Sequence, residues 1–224
     1  MQKIESLDKK EALRYLGYGN NEPDEQVKKM LDECEKQITD IAKPAFAYKI
    51  FDIEWKDDGI YIPGTTLVFT GESIREHLEG CEKVILMCAT SGQEVDRLIR
   101  TTQIRGMAKA VIMDALASVS VEYVCNEAER LIRDNVKDYY FTWRFSPGYG
   151  DLPIEIQGSF LNVLDAPKTM GVSVTAGDML TPTKSVTAII GLSKEPLKAK
   201  TRGCISCSMN ERCKFRAGGT HCGF

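Results

Sequence analysis

The chain has 224 residues, 43% of them hydrophobic, and a formal net charge of −3. That length and apolar content supply a core for one sizeable domain, alone or with a small appendage. No basic excess is available to displace counterions from phosphates, which excludes broad electrostatic binding of nucleic acid. No apolar run approaches the ~20 residues that a membrane span needs, and the opening Met1-Gln2-Lys3-Ile4-Glu5-Ser6 lacks the apolar stretch of a signal peptide, so the expected location is cytoplasmic.

In chain order, residues 6–15 read as a short helix, with Asp8 and Glu11 spaced as an N-cap and its reciprocal partner, and the glycines at 17 and 19 stop it. A second helix follows Pro23, because Val27, Met30, Leu31, Cys34, Ile38 and Ile41 recur on one helical face; it ends before Pro44. Residues 45–69 then turn to strands. The run 48–55 is aromatic and β-branched, Asp58-Gly59 is a hairpin signal, and 60–62 and 66–69 follow, which together predict a meander. Residues 71–78 form a short helix, 84–88 a buried strand, and Thr90-Ser91-Gly92 opens another helix.

The longest helix is expected over 106–135, where Ala110, Met113, Ala117, Val121, Val124, Ala128 and Leu131 keep an apolar stripe and the alanines permit close packing. A strand over 139–143 leaves through Arg144-Phe145-Ser146-Pro147-Gly148-Tyr149-Gly150-Asp151, a tight turn on account of its proline and glycines. A helix over 154–164 stops near Pro167, short extended pieces surround residues 172–174, and 185–192 is the last strand.

Residues 194–200 read as a charged linker into a different kind of segment. From Lys194 onward there are seven basic residues against two acidic, so the tail carries +5 and residues 1–193 carry −8. The cysteines divide at the same place. Cys34, Cys81, Cys88 and Cys125 are scattered and read as small core hydrophobes, whereas Cys204, Cys207, Cys213 and Cys222 crowd a polar, glycine-containing tail. A tail with so few apolar residues needs another source of order, and four thiolates suit a tetrahedral zinc or an iron–sulfur cluster; unrelated thiols or disulfides are the alternative. The spacing does not choose between the two metals. His221 is a weaker substitute ligand, since four cysteines already complete a site.

The turn after the strand has its own chemistry. A guanidinium at Arg144 can take a carboxylate bidentately, Gly148 lets backbone amides approach a ligand, and the Tyr149 ring offers a wall. A turn with structural duties alone carries the same residue types. The order of pieces around it is more specific. Arg144-x-x-x-Gly148-Tyr149 is preceded by Ala115-Leu116-Ala117 with Glu122, and followed by Leu164-Asp165, Met170-Gly171 and Ser185-Val186-Thr187. That order resembles the activation domain of cobalamin-dependent methionine synthase, over about half the chain, roughly residues 84–192.

The resemblance implies an α+β fold, a twisted and largely antiparallel sheet with packed helices, to which the short cysteine-rich tail is appended. It implies a surface groove for S-adenosylmethionine, with Arg144 on the ligand carboxylate, Pro147, Gly148 and Tyr149 holding the ligand, and Glu122 facing its cationic side. Two departures stand out: the family's tyrosine after the Ser-Val-Ser strand has no counterpart in Ile189-Ile190-Gly191-Leu192-Ser193-Lys194, and nothing in this length could hold a corrinoid. The protein implied is therefore a free-standing reactivation module. Residues 1–193 form the domain and 194–224 the metal-binding tail. It serves a partner methionine synthase or related corrinoid protein, with cobalamin supplied by that partner and electrons by a flavodoxin- or ferredoxin-like donor or relayed through an iron–sulfur tail. A redox- or metal-sensing regulatory or scaffold protein that has lost ligand binding is the alternative, and the missing tyrosine favours it. No Walker loop, Rossmann glycine fingerprint or radical-enzyme C-x-x-x-C-x-x-C arrangement is present.

Overall fold

The computed structural model describes residues 3–19 and 21–197. The cysteine tail expected over 194–224, with Cys204, Cys207, Cys213 and Cys222, thus lies almost wholly outside the described residues.

Helix α1 (Lys9–Tyr15) starts on Asp8, whose carboxylate accepts the amides of Lys10 and Glu11; Glu11 turns its own side chain to Arg14. Helix α2 (Glu25–Ile41) starts on Asp24 and buries Leu31, Cys34 and Ile38, the face foreseen from their spacing. Strand β1 (Ala45–Asp52) begins and ends three residues earlier than the aromatic run suggests. The meander expectation needs correcting here. β1 pairs with β5 (Lys83–Thr90), and only at Ile53 does the chain change sheets to form β2 (Glu54–Lys56), β3 (Gly59–Tyr61) and β4 (Val68–Phe69). The β2–β3 turn is Asp57-Asp58, and Gly59 serves packing: a Cβ there would stand 2.6 Å from Val68 Cγ1.

Helix α3 (Glu72–Leu78) precedes β5, and α4 (Gln93–Arg105) is separated from α5 (Met107–Asn135) by Gly106. Strand β6 (Tyr140–Phe141) is shorter than expected. A 3-10 turn (Ile154–Ile156) runs into α6 (Gln157–Val163). Pro167, read as a stop, instead occupies the first turn of a further short helix, α7 (Ala166–Met170), where its missing N–H costs nothing. A small hairpin, β7 (Ser173–Val174) with β8 (Leu180–Thr181), leads to β9 (Ser185–Ser193).

The main sheet has the order β1-β5-β9-β6 and is antiparallel throughout, with Ile85 opposite Ile190 and Leu86 opposite Ile189. Its two central strands are buried on both faces, which is why they read as continuous apolar runs. Alternate residues divide between two cores. Ile85, Met87, Ala188 and Ile190 face α1, α2, α4 and α5, while Val84, Leu86, Cys88 and Ile189 face the meander, α3, α6 and α7. Ala110, Ala117 and Ala128 of α5 are buried, and their small size brings that helix close to the sheet. The α+β fold, with a largely antiparallel sheet and packed helices, is as expected.

Candidate functional site

The turn of residues 144–151 hangs from the edge of β9. Thr142 donates its amide to Gly191 O (3.0 Å), and Phe145 exchanges both backbone hydrogen bonds with Ile189 (2.9 and 2.7 Å). Between them the ladder is interrupted, because the Gly191 amide donates to the Thr142 hydroxyl (2.8 Å), which also meets His77 Nε2 at 2.8 Å. That side-chain substitution explains why β6 stops at Phe141 when the sequence predicts a strand through Trp143. It also lets the chain aim successive side chains at opposite layers: Arg144 at α5, Phe145 at the core around α3.

Arg144 meets three residues of α5. Its Nη2 donates to Asn126 Oδ1 (2.9 Å) and Glu122 Oε2 (3.2 Å), and its Nε lies 3.8 Å from Glu129 Oε2. Positions 122, 126 and 129 share one helical face, so a single helix supplies the whole set. The Arg144 side chain is 16% exposed against 44% for Glu122, and its Nη1 is buried with no hydrogen-bond partner among the described residues. A buried guanidinium nitrogen without an acceptor is costly, and it is the kind of donor that a ligand carboxylate satisfies. Glu129 is also held by Arg133 (2.7 Å), so Arg144 and Arg133 balance Glu122 and Glu129, and the half-exposed Glu122 is the carboxylate open to a cationic group of a ligand.

The remainder of the turn is anchored to α3. Pro147 is buried, Gly148 has φ +87 and Gly150 φ +56, both in the region that glycine occupies freely. A Cβ on Gly150 would collide with Ser73, so the turn and α3 touch backbone to side chain. Asp151 accepts the amides of Glu72 (2.7 Å) and Ser73 (2.9 Å), acting as the cap that the start of α3 lacks locally; those bonds hold its carboxyl below the usual range.

The expected approach of turn amides to a ligand needs correction. Gly148 N–H donates to Leu152 O (2.9 Å) and Tyr149 N–H to Ser146 O (3.0 Å), so both amides are spent inside the turn. Tyr149 is 58% exposed and packs edge-on to Phe145 at 5.9 Å. The structure therefore brings Arg144 and Glu122 into contact and leaves Tyr149 at the solvent side of the turn. Asn126 and Glu129 were not read from sequence, although their spacing from Glu122 offered the signal.

A cavity of about 430 Å³ opens on the other side of this strand, lined by His77, Phe141, Thr142, Trp143, Pro196 and Leu197 among others. It does not include Arg144 or Glu122, so the Arg144 cluster and this hollow are separate features. Cys34, Cys81, Cys88 and Cys125 are buried, and burial pushes the thiols of Cys34 to about 11 and of Cys88 and Cys125 to about 12, which makes them poor nucleophiles and ligands. Among the described residues no group of three or more His, Cys, Asp or Glu could hold a metal ion, and no helix is long and apolar enough to cross a membrane.

No protein-family profile and no curated protein matches the chain. Among solved structures, the crystal structure of the MetH reactivation domain bound to AdoHcy superposes with a TM-score of 0.56 at 16% sequence identity, covering 94% of this chain and 73% of that one. The overlap reaches well beyond residues 84–192, taking in most of the N-terminal helices and the meander. This chain has the fold of the MetH reactivation domain.

Proposed function

We propose that this protein binds S-adenosylmethionine at the Arg144–Glu122 face and methylates the reduced cobalamin of a partner methionine synthase or related corrinoid protein. The observation that carries this reading is the buried Arg144 Nη1, which has no hydrogen-bond partner among the described residues, set beside the half-exposed Glu122 carboxylate. The guanidinium takes the ligand carboxylate, and Glu122 of α5 faces its cationic side. The fold shared with a reactivation domain bound to AdoHcy supports the choice of ligand class. Pro147, Gly148 and Tyr149 shape the outer edge of the site.

The reaction asks little of the protein beyond positioning. One electron from a flavodoxin- or ferredoxin-like donor converts the partner's cobalt(II) to cobalt(I). The cobalt(I) electron pair then forms the bond to the methyl carbon as the carbon–sulfur bond breaks, leaving methyl-cobalt(III) and neutral S-adenosylhomocysteine. No proton moves, so no general base is required, and buried His77 need not take part. Cys204, Cys207, Cys213 and Cys222 would hold a 4Fe-4S cluster or zinc, and a cluster would supply a low-potential route for the electron.

Isothermal titration with S-adenosylmethionine tests the ligand. Binding in the micromolar range that is lost in Arg144→Ala supports the reading, and no binding by the parent protein overturns it in favour of a metal- or redox-sensing scaffold. For the tail, a visible charge-transfer band in anaerobically purified protein, absent in Cys204→Ala, is expected; a colourless protein removes the electron relay.

A further inference from the structure

The hollow beside β6 lies where β9 gives way to the basic end of the chain. Strand β9 runs out at Ser193, whose hydroxyl accepts the amide of Glu195 (3.1 Å). Glu195, Pro196 and Leu197 then line the hollow together with His77, Thr142 and Trp143. Leu197 packs against the core layer that contains α3, and a Cβ on Gly80 would stand 3.9 Å from its Cδ2. The chain is therefore held against the α3–β5 connection at Leu197 rather than released into solvent. Much of the wall is aromatic or apolar: the buried His77 ring meets Trp143 edge-on at 4.8 Å between centroids, and Phe141 and Leu197 are half-buried. The described lining also includes two exposed carboxylates, Glu79 and Glu195, and no lysine or arginine. Of the cations nearby, Lys194 lies over the Tyr139 ring at 4.0 Å, and Arg133 lies over the Phe141 ring and is paired with Glu129.

We propose that this hollow is the seat of the chain's own segment 198–224, drawn there by Glu79 and Glu195. Tether and charge both select that occupant. The segment starts at the hollow, so its docking is intramolecular and proceeds at a high effective concentration. It carries six basic residues against one acidic, and three of the six, Lys198, Lys200 and Arg202, fall within five residues of Leu197, beside a rim whose charged members are acidic. A segment so poor in apolar residues gains order by covering an existing apolar wall, in addition to any order a metal supplies. The seat does not depend on the ligand reading, since Arg144 and Glu122 do not line the hollow. It does bear on the electron route. Cys204 is seven residues beyond Leu197, a reach of at most ~25 Å even when fully extended, and Trp143 in the wall directly precedes Arg144. A seated tail therefore brings its first thiolates toward the reverse side of the strand exit that carries Arg144.

The test uses the full chain carrying Trp55→Phe, which leaves Trp143 as its one tryptophan. Acrylamide quenching of that fluorescence reads how well the hollow is covered, at equal metal content and with thermal melts as a folding control. Glu79→Lys with Glu195→Lys is expected to raise the quenching constant about threefold, as two attractive pairings become repulsive. Lys198→Glu, Lys200→Glu and Arg202→Glu together should raise it to the same extent. Combining the two sets restores attraction with the signs exchanged and should return quenching to within about 1.5-fold of the starting chain, a recovery that damage to the fold would not give. Quenching that neither reversal changes overturns the seat. A rise in both single sets without recovery in the combination overturns the pairing of tail with rim. Shielding that is lost on dilution of the starting chain shows a second copy over the hollow and overturns the intramolecular occupant.

Discussion

The two ends of the turn 144–151 differ in how far their charges are satisfied. At the far end the Asp151 carboxylate accepts two amides and completes the cap of α3, a finished structural device. At the near end Arg144 is more deeply placed, yet one of its nitrogens is buried and has no hydrogen-bond partner among the described residues. Folding stability explains the first arrangement and is diminished by the second. A charge held in an incomplete shell is what a ligand site requires, so the comparison separates the part of the motif that holds the fold from the part available for chemistry.

Removing the incomplete end should cost binding and little else. Arg144→Ala is expected to weaken S-adenosylmethionine by about a hundredfold or more, in line with the ~2–5 kcal/mol lost when one member of a buried charge pair is truncated. Its melting temperature should stay near that of the parent, because the mutation also removes an unsatisfied buried donor, and Glu122 is exposed enough to be solvated alone. A large drop in melting temperature with unchanged affinity would reverse the assignment of the two ends.

Breaking the finished end should do the opposite. Gly150→Val adds a Cβ at φ +56 that collides with Ser73, and overpacking with backbone strain of this kind costs about 1–3 kcal/mol. Asp151→Ala removes both amide acceptors from the start of α3, and the melting temperature at neutral pH should fall by a few degrees. The pH dependence has a definite sign. Because hydrogen bonds lower the Asp151 pKa in the folded state, its contribution is present above the unfolded carboxyl value, ~4, and is lost as pH falls through the folded one. The gap between parent and Asp151→Ala should therefore be widest near neutrality and close as the solution is acidified below that value. A gap that persists in acid would mean that Asp151 stabilises the turn by some means other than its charge.

Much of the scaffold around these two ends was legible. Strands β5 and β9 are buried on both faces and so spell out apolar runs, and α5 repeats alanines and branched residues on one stripe. Where the reading slipped, a tertiary demand overrode a local signal. β1 abandons its neighbour at Ile53 to pair with β5, and Gly59 looks like a turn residue but is small because Val68 lies against it. That Arg144 and Glu122 come together was also legible, since both sit in an ordered set of motifs. Glu129 and Asn126 could have been added from helical spacing.

The smallest expected effect concerns Glu122, the neighbour of the incomplete end. Glu122→Gln keeps an acceptor for Arg144 Nη2 but removes one negative charge, so S-adenosylmethionine should lose only a few-fold in affinity, the scale of a partly exposed ion pair. The same substitution should reach Tyr15. Its phenol ionises at about 12 against an ordinary value near 10, with burial the leading cause and Glu122 a lesser one. Titrating tyrosinate absorbance in Glu122→Gln, with and without Tyr15→Phe to isolate the one ring among eight tyrosines, should show the pKa of Tyr15 moving part of the way down while remaining above the ordinary value. In the parent, the stability tied to the neutral phenol is complete below pH ~10 and is lost as pH rises through that window toward the folded value, so Glu122→Gln should also soften the alkaline decline. If the phenol titrates identically with and without the Glu122 charge, burial and Glu11 alone account for its raised pKa.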